Sequence, residues 1–428
     1  MLVTRRISSL LVCGLLLVSS AGCASDSSSD TTDERPQPAD SSGTPATGEP
    51  IKLGMIAPTD APVYSVPGEV AAVRAAIATI NSQGGVQGRP LELDYCNEAN
   101  DANKGAACGR QVAASDDVAT INVISPFAGP AITEALKGMA NVGYLALTPP
   151  EYEAMNNFPT NGGGAFFQPA SVVGALQNDS SLKDVVIAAN EGAQSDPIVA
   201  SIEKAVTNAG GSVSGEVRLP LTTIADYTPY AQKLITSGAQ VAALSMSGPA
   251  SAGIIKAVHQ LGGNLVFTSS AGAMTGPVLK DLGSLADGIY IGSPTPWIND
   301  ESSYPGIKDF VASMEAEQKG GDDDAAVADL GPFAALDWLT TLQLRDVLTG
   351  IVDQGQEITR ESVLAAMSTA KDLKTYDVVK TPWSPSVRQT ALPGFQNVSI
   401  TDVYLLQVSD GQMSLAADEP IDMTQYVK

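Results

Sequence analysis

The chain has 428 residues, with 24 Lys plus Arg against 47 Asp plus Glu and a formal net charge of −23. So acidic a chain is unsuited to nucleic acid or to electrostatic binding of anionic lipid headgroups. Its length allows two domains, and beyond the first two dozen residues no stretch is long and apolar enough for a transmembrane helix.

Arg5 and Arg6 form a basic start, Ile7 to Ser20 is apolar but short for a bilayer span, and Ser20-Ala21-Gly22-Cys23 follows. This layout resembles a bacterial lipoprotein signal, in which residues 1–22 are removed and Cys23 is acylated as the mature N-terminus. Its first lipobox position is Ser20, where leucine is usual. An ordinary cleaved signal with an incidental cysteine is the alternative. The arginine pair hints at twin-arginine export, which Ile7-Ser8-Ser9 fits poorly, so the export route stays open.

Residues 23–50 are dominated by Ser, Asp, Thr, Pro, Gly, Ala and Glu, without an aromatic. Such a segment buries too little apolar surface to order itself. As a flexible tether it reaches roughly 30 Å root-mean-square. The expected address is the outer face of the cytoplasmic membrane, with the membrane contacted only through the lipid.

Of four cysteines, Cys13 lies in the removed segment and Cys23 takes lipid. Cys96 and Cys108 remain, an even pair in an oxidising compartment, and a disulfide between a strand end and the next helix is expected. Two free, buried thiols are the alternative.

From Ile51 onward, strand-like and helix-like segments alternate, the pattern of an α/β sheet with parallel strands. Ile51–Ala57 reads as a strand, Glu69–Asn81 as an alanine-rich helix, Gly84–Pro90 as a turn and Leu91–Cys96 as a strand. A helix follows over about Lys104–Ser115, a strand at Thr120–Ile124, a helix from near Pro130 and a strand at Gly143–Leu147. A second series has strands at Asp184–Ala189, Ser212–Leu219, Val241–Met246, Leu265–Thr268 and Gly288–Gly292. Its helices are Pro197–Ala209, Tyr227–Ser237 and Ala250–Leu261. Later helices are expected over Tyr304–Lys319, Ala325–Thr349 and Arg360–Ala370, and a last strand over Asp402–Val408. Two successive series imply two lobes with a cleft between them, a common small-molecule site.

Catalytic constellations are nearly absent. The single histidine, His259, sits among apolar helical neighbours, and Ser245-Met246-Ser247-Gly248 lacks the leading glycine of a nucleophile elbow. No cysteine cluster or HExxH offers a metal site, and Asp322-Asp323-Asp324 reads as a solvated loop. Gly84-Gly85-Val86-Gln87-Gly88 follows a helix and precedes a strand, the reverse of a dinucleotide fingerprint, so it reads as a helix cap and turn.

Residues 51–408 resemble type I periplasmic binding proteins of the branched-chain amino-acid and amide group, the solute-binding components of ABC importers. The resemblance is carried by IKLGMIAPTDAPVYSVPGEVAAVRAAIATINSQGGVQGRPLELDYCNEANDANKGAACGRQ and, more weakly, by VISPFAGPAITEAL, GEVRLPLTTIADYTPYAQKLITSGAQ and LADGIYIGSP. It implies two doubly wound α/β lobes joined by a multi-strand hinge. Lobe 1 is then 51–170 with 297–382, and lobe 2 is 171–296 with 383–428. It also implies a monomer that closes over a small polar solute and delivers it to an ABC permease, with no enzymatic activity, cofactor or metal.

By the same resemblance, the Ser125–Pro130 and Thr148–Tyr152 loops hold the ligand's oxygen end through Ser125, Thr148 and the Ala128-Gly129 backbone. Tyr64 and Tyr152 flank the ligand. The second lobe closes with Glu191, Ser195 and Ser247. The chain departs from amino-acid-binding relatives at Ser195, where they usually carry tyrosine, and in the loop at Ser247, which has no acid for an amine. An amide, urea derivative or aromatic acid is thus as open as an amino acid. A sensor of the same fold without transport, and a lipoprotein hydrolase, are the alternative functions.

Overall fold

The computed structural model describes residues 44–61, 63–192, 195–388 and 394–428. The signal-like segment, Cys13, Cys23 and most of the tether lie outside the described residues.

The first half builds a parallel sheet: β1 (Ile51–Ala57), α1 (Pro67–Ser82), β2 (Leu91–Asn97), α2 (Ala102–Ala114), β3 (Ala119–Ile121), α3 (Gly129–Ala135), β4 (Ala140–Val142), α4 (Pro149–Glu153) and β5 (Asn157–Phe158). The strand order is β2-β1-β3-β4-β5. β1 is apolar almost throughout because both its faces are covered, as expected for a central parallel strand. β3 ends at Ile121 rather than Ile124, and β4 lies at Ala140–Val142, wholly before the strand expected at Gly143–Leu147. Asn122 and Gly143 take positive φ of 47° and 72° immediately after them, which turns the backbone out of the ladder.

A helix the sequence reading did not contain, α5 (Gly164–Asn178), leads into the second sheet despite Pro169 within it. The series continues through β6 (Asp184–Asn190), α6 (Asp196–Asn208), β7 (Ser212–Leu219), α7 (Thr228–Thr236), β8 (Val241–Ser245), α8 (Gly248–Gln260), β9 (Val266–Ser270), α9 (Gly276–Leu282) and β10 (Tyr290–Ser293). α5 packs on strands of this sheet, although its residues 164–170 fall within the 51–170 stretch expected in lobe 1.

The chain then returns to the first sheet with α10 (Pro305–Gly320), α11 (Pro332–Asp353) and α12 (Arg360–Thr369). α11 starts at Pro332 rather than Ala325. Two short 3-10 turns occupy 323–329, and Pro332 supplies the pre-set φ of a first helical position. The chain ends on the second sheet with β11 (Asp402–Ser409), β12 (Gln412–Leu415), β13 (Ile421–Asp422) and α13 (Thr424–Val427). The main strand order there is β12-β11-β10-β9-β8-β6-β7, with β10 to β12 joined antiparallel.

The result is two doubly wound α/β lobes. Among the described elements the chain crosses between them after Phe158, after Ser293 and after Thr369. Alanines on α1, including Ala71, Ala72, Ala75 and Ala76, are buried and let α11 pack closely. Cys96 and Cys108 are disulfide-bonded, their Cα atoms 5.8 Å apart, which ties the end of β2 to α2. Among the described residues no helix is long and apolar enough to cross a membrane.

Candidate functional site

Each sheet changes winding direction beside its first strand, β1 in one lobe and β6 in the other. In open α/β sheets such switch points, beyond the carboxyl ends of the strands, leave a crevice. Here the two crevices face one another and enclose a cavity of about 190 Å³ lined from both lobes.

The first lobe supplies an apolar wall. Val63 and Tyr64 follow β1, Ile124 and Phe127 follow β3, and Leu145 and Leu147 follow β4. Phe333, at the start of α11, completes it and meets Phe167 of α5 edge to face, the ring centroids 5.3 Å apart. Tyr64 reaches across the cleft: its hydroxyl lies 3.6 Å from where a Cβ on Gly272 would stand.

The second lobe supplies most of the polar side chains, set among the apolar Ile198, Leu221 and Met246. Asn190 ends β6, Ser245 ends β8 and Ser270 ends β9. Ser195 and Ser247 precede α6 and α8, and neither side chain caps its helix. The first backbone N–H groups of both helices therefore have no side-chain acceptor from their own N-cap. Gln168, on α5, is 5% exposed. Its Nε2 donates to Ser270 Oγ at 3.1 Å, while its Oε1 is buried with no partner among the described residues. No described lining residue carries a charge.

Of the residues singled out in the sequence, Tyr64, Ser195 and Ser247 lie on the cavity wall. Ser125, Ala128, Gly129, Thr148 and Tyr152 do not; they pack behind it. The Ser125 hydroxyl donates to Glu98 at 3.0 Å and accepts from the Ala128 N–H. Thr148 donates its hydroxyl to Glu151, and its N–H donates to the same carboxylate at 2.8 Å. Tyr144 also donates to Glu151, at 3.2 Å.

Both glutamates are fully buried, and burial pushes both carboxyls up from their ordinary range, against the opposing pull of these donors. Gly129 must lack a side chain, since a Cβ there would lie 2.0 Å from Glu151 Oε1. The Tyr152 hydroxyl donates to the Gly162 carbonyl at 3.1 Å. Glu191 is exposed beyond the end of β6 and is not on the wall.

Gln168, Phe167 and Phe333 were not anticipated. They come from helix starts rather than from loops after strands, and no sequence spacing points to them. Thr148-Pro149-Pro150-Glu151, by contrast, has the Thr-x-x-Glu form of a capping box, a signal that could have assigned Glu151 to its own helix.

A second cavity, of about 400 Å³, shares Gly272 and Phe333 with the first and is bordered by Glu69, Asp323, Asp324 and Asp329. Behind it Glu69 of α1 and Asp337 of α11 form a carboxyl pair. Burial raises Glu69 to about 8, and burial together with the Glu69 charge holds Asp337 well above the carboxylate range. Among the described residues no group of three His, Cys, Asp or Glu is placed to hold a metal. His259 lies beside Phe267, away from the cleft. Asp322 pairs with Arg74 at 3.0 Å.

Comparison with known proteins gives a consistent picture. A sequence profile described as periplasmic binding protein matches residues 50–412. No curated protein matches the chain. Among solved structures, a fatty acid ABC transporter substrate-binding protein from Thermomonospora curvata superposes with a TM-score of 0.75 at 16% identity, over 90% of this chain and 97% of that one. An ABC transporter solute-binding protein from R. palustris in complex with 4-hydroxybenzoate gives 0.68 at 20%, over 87% and 97%. A leucine-binding protein from Thermotoga maritima gives 0.67 at 16%, over 86% and 98%. At these identities the likeness is one of fold.

Proposed function

The chain belongs to the periplasmic binding protein family, and from that premise we propose that it captures a small, largely apolar solute in the interlobe cleft and hands it to an ABC importer. The observation that carries this reading is the wall itself: aromatic and aliphatic from the first lobe, hydroxyl- and amide-bearing but also lined by Ile198, Leu221 and Met246 from the second, and without a described charge. The two hydroxyls that would hold an amino acid's carboxylate, Ser125 and Thr148, are committed to Glu98 and Glu151. An unpaired carboxylate or ammonium in this cleft would lose its hydration without a counter-charge. The fatty acid and 4-hydroxybenzoate proteins are named for solutes with apolar bodies, though each of those solutes also carries a carboxylate, for which this cleft has no described counter-charge.

Transport follows by hinge closure. A ligand touching both walls favours the closed arrangement only by its differential contacts with it, and the closed form is presented to the permease. Cys23 carries the lipid that keeps the protein at the membrane.

Mass spectrometry of small molecules extracted from the purified chain, compared with a Ser247→Trp variant that fills the cleft, tests the reading. An apolar solute bound by the wild type and absent from the variant is expected. A solute retained equally by both would overturn it.

A further inference from the structure

We infer that Asn100, which does not line the cavity, is a positioning residue of the site: by holding the Tyr64 carbonyl it fixes where the Tyr64 ring parts the first cavity from the second, and so sets the longest solute the cleft accepts. This deepens the function proposed above and rests on the cleft being the solute site.

The argument starts from the path of one loop. The loop after β1 closes at its base, where the Val66 N–H donates to the Pro58 carbonyl at 2.9 Å. A compact loop of this kind is placed by whatever grips it beyond the base. Val63 and Tyr64 line the first cavity, whereas Ser65, Val66 and Glu69 line the second. The chain thus passes from one chamber to the other between residues 64 and 65. Gly272 of the second lobe and Phe333 of α11 border both chambers. A Cβ on Gly272 would lie 3.5 Å from Phe333 Cε2 and 3.6 Å from Tyr64 Oη, so both rings meet the facing lobe at one point. The partition is made of side chains, and its Tyr64 half hangs on the loop.

The turn after β2 grips this loop twice. Asn97 takes Thr59: its Oδ1 accepts from the Thr59 N–H at 3.0 Å and its Nδ2 donates to the Thr59 carbonyl at 2.9 Å. Asn100 takes Tyr64, its Nδ2 donating to the Tyr64 carbonyl at 2.8 Å. Asn97 therefore holds the near leg, and Asn100 holds the residue on the wall. Asn100 is itself fixed, since its N–H donates to the buried Glu98 carboxylate at 3.2 Å. Its φ of 57° is one that asparagine tolerates better than most residues. Its Oδ1 is buried with no partner among the described residues, so among them the amide bonds to Tyr64 alone. A carboxylate could not replace it, because only a donor can face a carbonyl oxygen.

The partition bounds the solute. An apolar cavity of about 150 Å³ holds benzene, so one ring fills most of the first chamber, of about 190 Å³. A tail growing from that ring tightens binding by about fourfold per buried methylene. The gain stops where the tail meets Tyr64 and Phe333. With Tyr64 released, the tail runs on into the second chamber, of about 400 Å³.

The test uses the full mature chain stripped of bound solute, at neutral pH. Calorimetry takes 4-alkylphenols from p-cresol to 4-pentylphenol as probes, and hydrogen exchange follows the loop amides without a probe. Wild-type affinity should rise along the series and then level off or fall. Asn100→Gly and Asn100→Asp both accept the left-handed backbone and delete the donor. Each should speed exchange in the loop and let affinity rise by about fourfold per methylene to the end of the series. Asn97→Asp deletes only the donor to Thr59 and should keep the wild-type limit. Unchanged loop exchange in both Asn100 variants, an unmoved length limit in them, no limit in the wild type, or the same change from Asn97→Asp would overturn the assignment. Ser247→Trp separates the two levels. Binding that survives it, or failure of every phenol to bind at millimolar concentration, removes the cleft as a site for apolar bodies and this inference with it. Binding that it abolishes, with the limit unmoved in the Asn100 variants, removes this inference alone.

Discussion

Phe167, four residues into the second lobe's first helix, stands edge to face with Phe333, two residues into α11 of the first lobe, at 5.3 Å between centroids and 89° between planes. The pair sits on the cleft wall, so the two lobes touch through rings that also line the cavity. An aromatic pair of this geometry contributes about 0.5–1.5 kcal/mol beyond its area. Phe333→Ala should shift the open–closed balance toward open by roughly two- to tenfold. Small-angle scattering should show a larger radius of gyration for the ligand-free variant, and ligand should restore the compact value only at higher concentration.

Ser125→Ala and Thr148→Val should cost stability rather than affinity. Each removes a donor from a fully buried carboxyl, Glu98 or Glu151. Losing a partner of a buried polar group costs about 1–3 kcal/mol. Denaturant titration should show the loss, while calorimetry shows affinity for the extracted solute within about twofold of wild type. A large fall in affinity with stability intact would place these hydroxyls at the ligand instead.

The Glu69–Asp337 pair predicts a pH dependence. Both carboxyls are raised in the folded chain, Glu69 to about 8. The folded state therefore binds more protons than the unfolded one between the usual carboxylate range and about 8, and stability falls as pH rises through that window. For one proton the slope is at most about 1.4 kcal/mol per pH unit. Glu69→Gln keeps a donor to Asp337 and removes one ionisation. Its melting temperature should gain on wild type steadily from pH 5 to pH 8; a constant difference would dismiss the pair as a titrating unit.

The Cys96–Cys108 bridge closes a short loop, and the loop-entropy model assigns it about 3 kcal/mol. The double Cys→Ser variant should melt several degrees lower, with ligand affinity unchanged because neither cysteine lines the cleft. Labelling of the denatured, unreduced body should find no free thiol at either position.

Cys23→Ala should release the protein from the membrane fraction into the soluble one. Acyl mass on the N-terminal peptide of the wild type, and none on the variant, is the expected readout.

Much of the framework is legible in the sequence because it follows from burial. Ile51–Ala57 and Val241–Ser245 are apolar runs since parallel strands are covered on both faces. The end of β3 and the place of β4 are less legible, because Asn122 and Gly143 stop these strands through local φ rather than through polarity, and the apolar run Gly143–Leu147 follows β4 instead of forming it. α5 escaped notice behind Gly162-Gly163-Gly164 and Pro169, residues that read as a loop.

The site was legible only in outline. Loops after strands could be picked out, and Tyr64, Ser195 and Ser247 stand on the wall. Whether a hydroxyl faces a cavity or a buried carboxylate depends on partners far along the chain. Glu98 is 27 residues from Ser125, and Phe167 and Phe333 come from different lobes.

The return of the chain to its second sheet has a consequence for how the protein comes into being. β10 pairs on one side with β9 and on the other with β11, which begins at Asp402, more than a hundred residues later. A chain emerging N-terminus first thus presents β10 as a raw edge until nearly the whole length has been delivered. Unpaired edges of apolar strands recruit other chains. The stretch between β10 and β11 therefore sets an interval of vulnerability during biogenesis, and truncations that spare every cleft residue but stop short of Asp402 should aggregate rather than bind weakly.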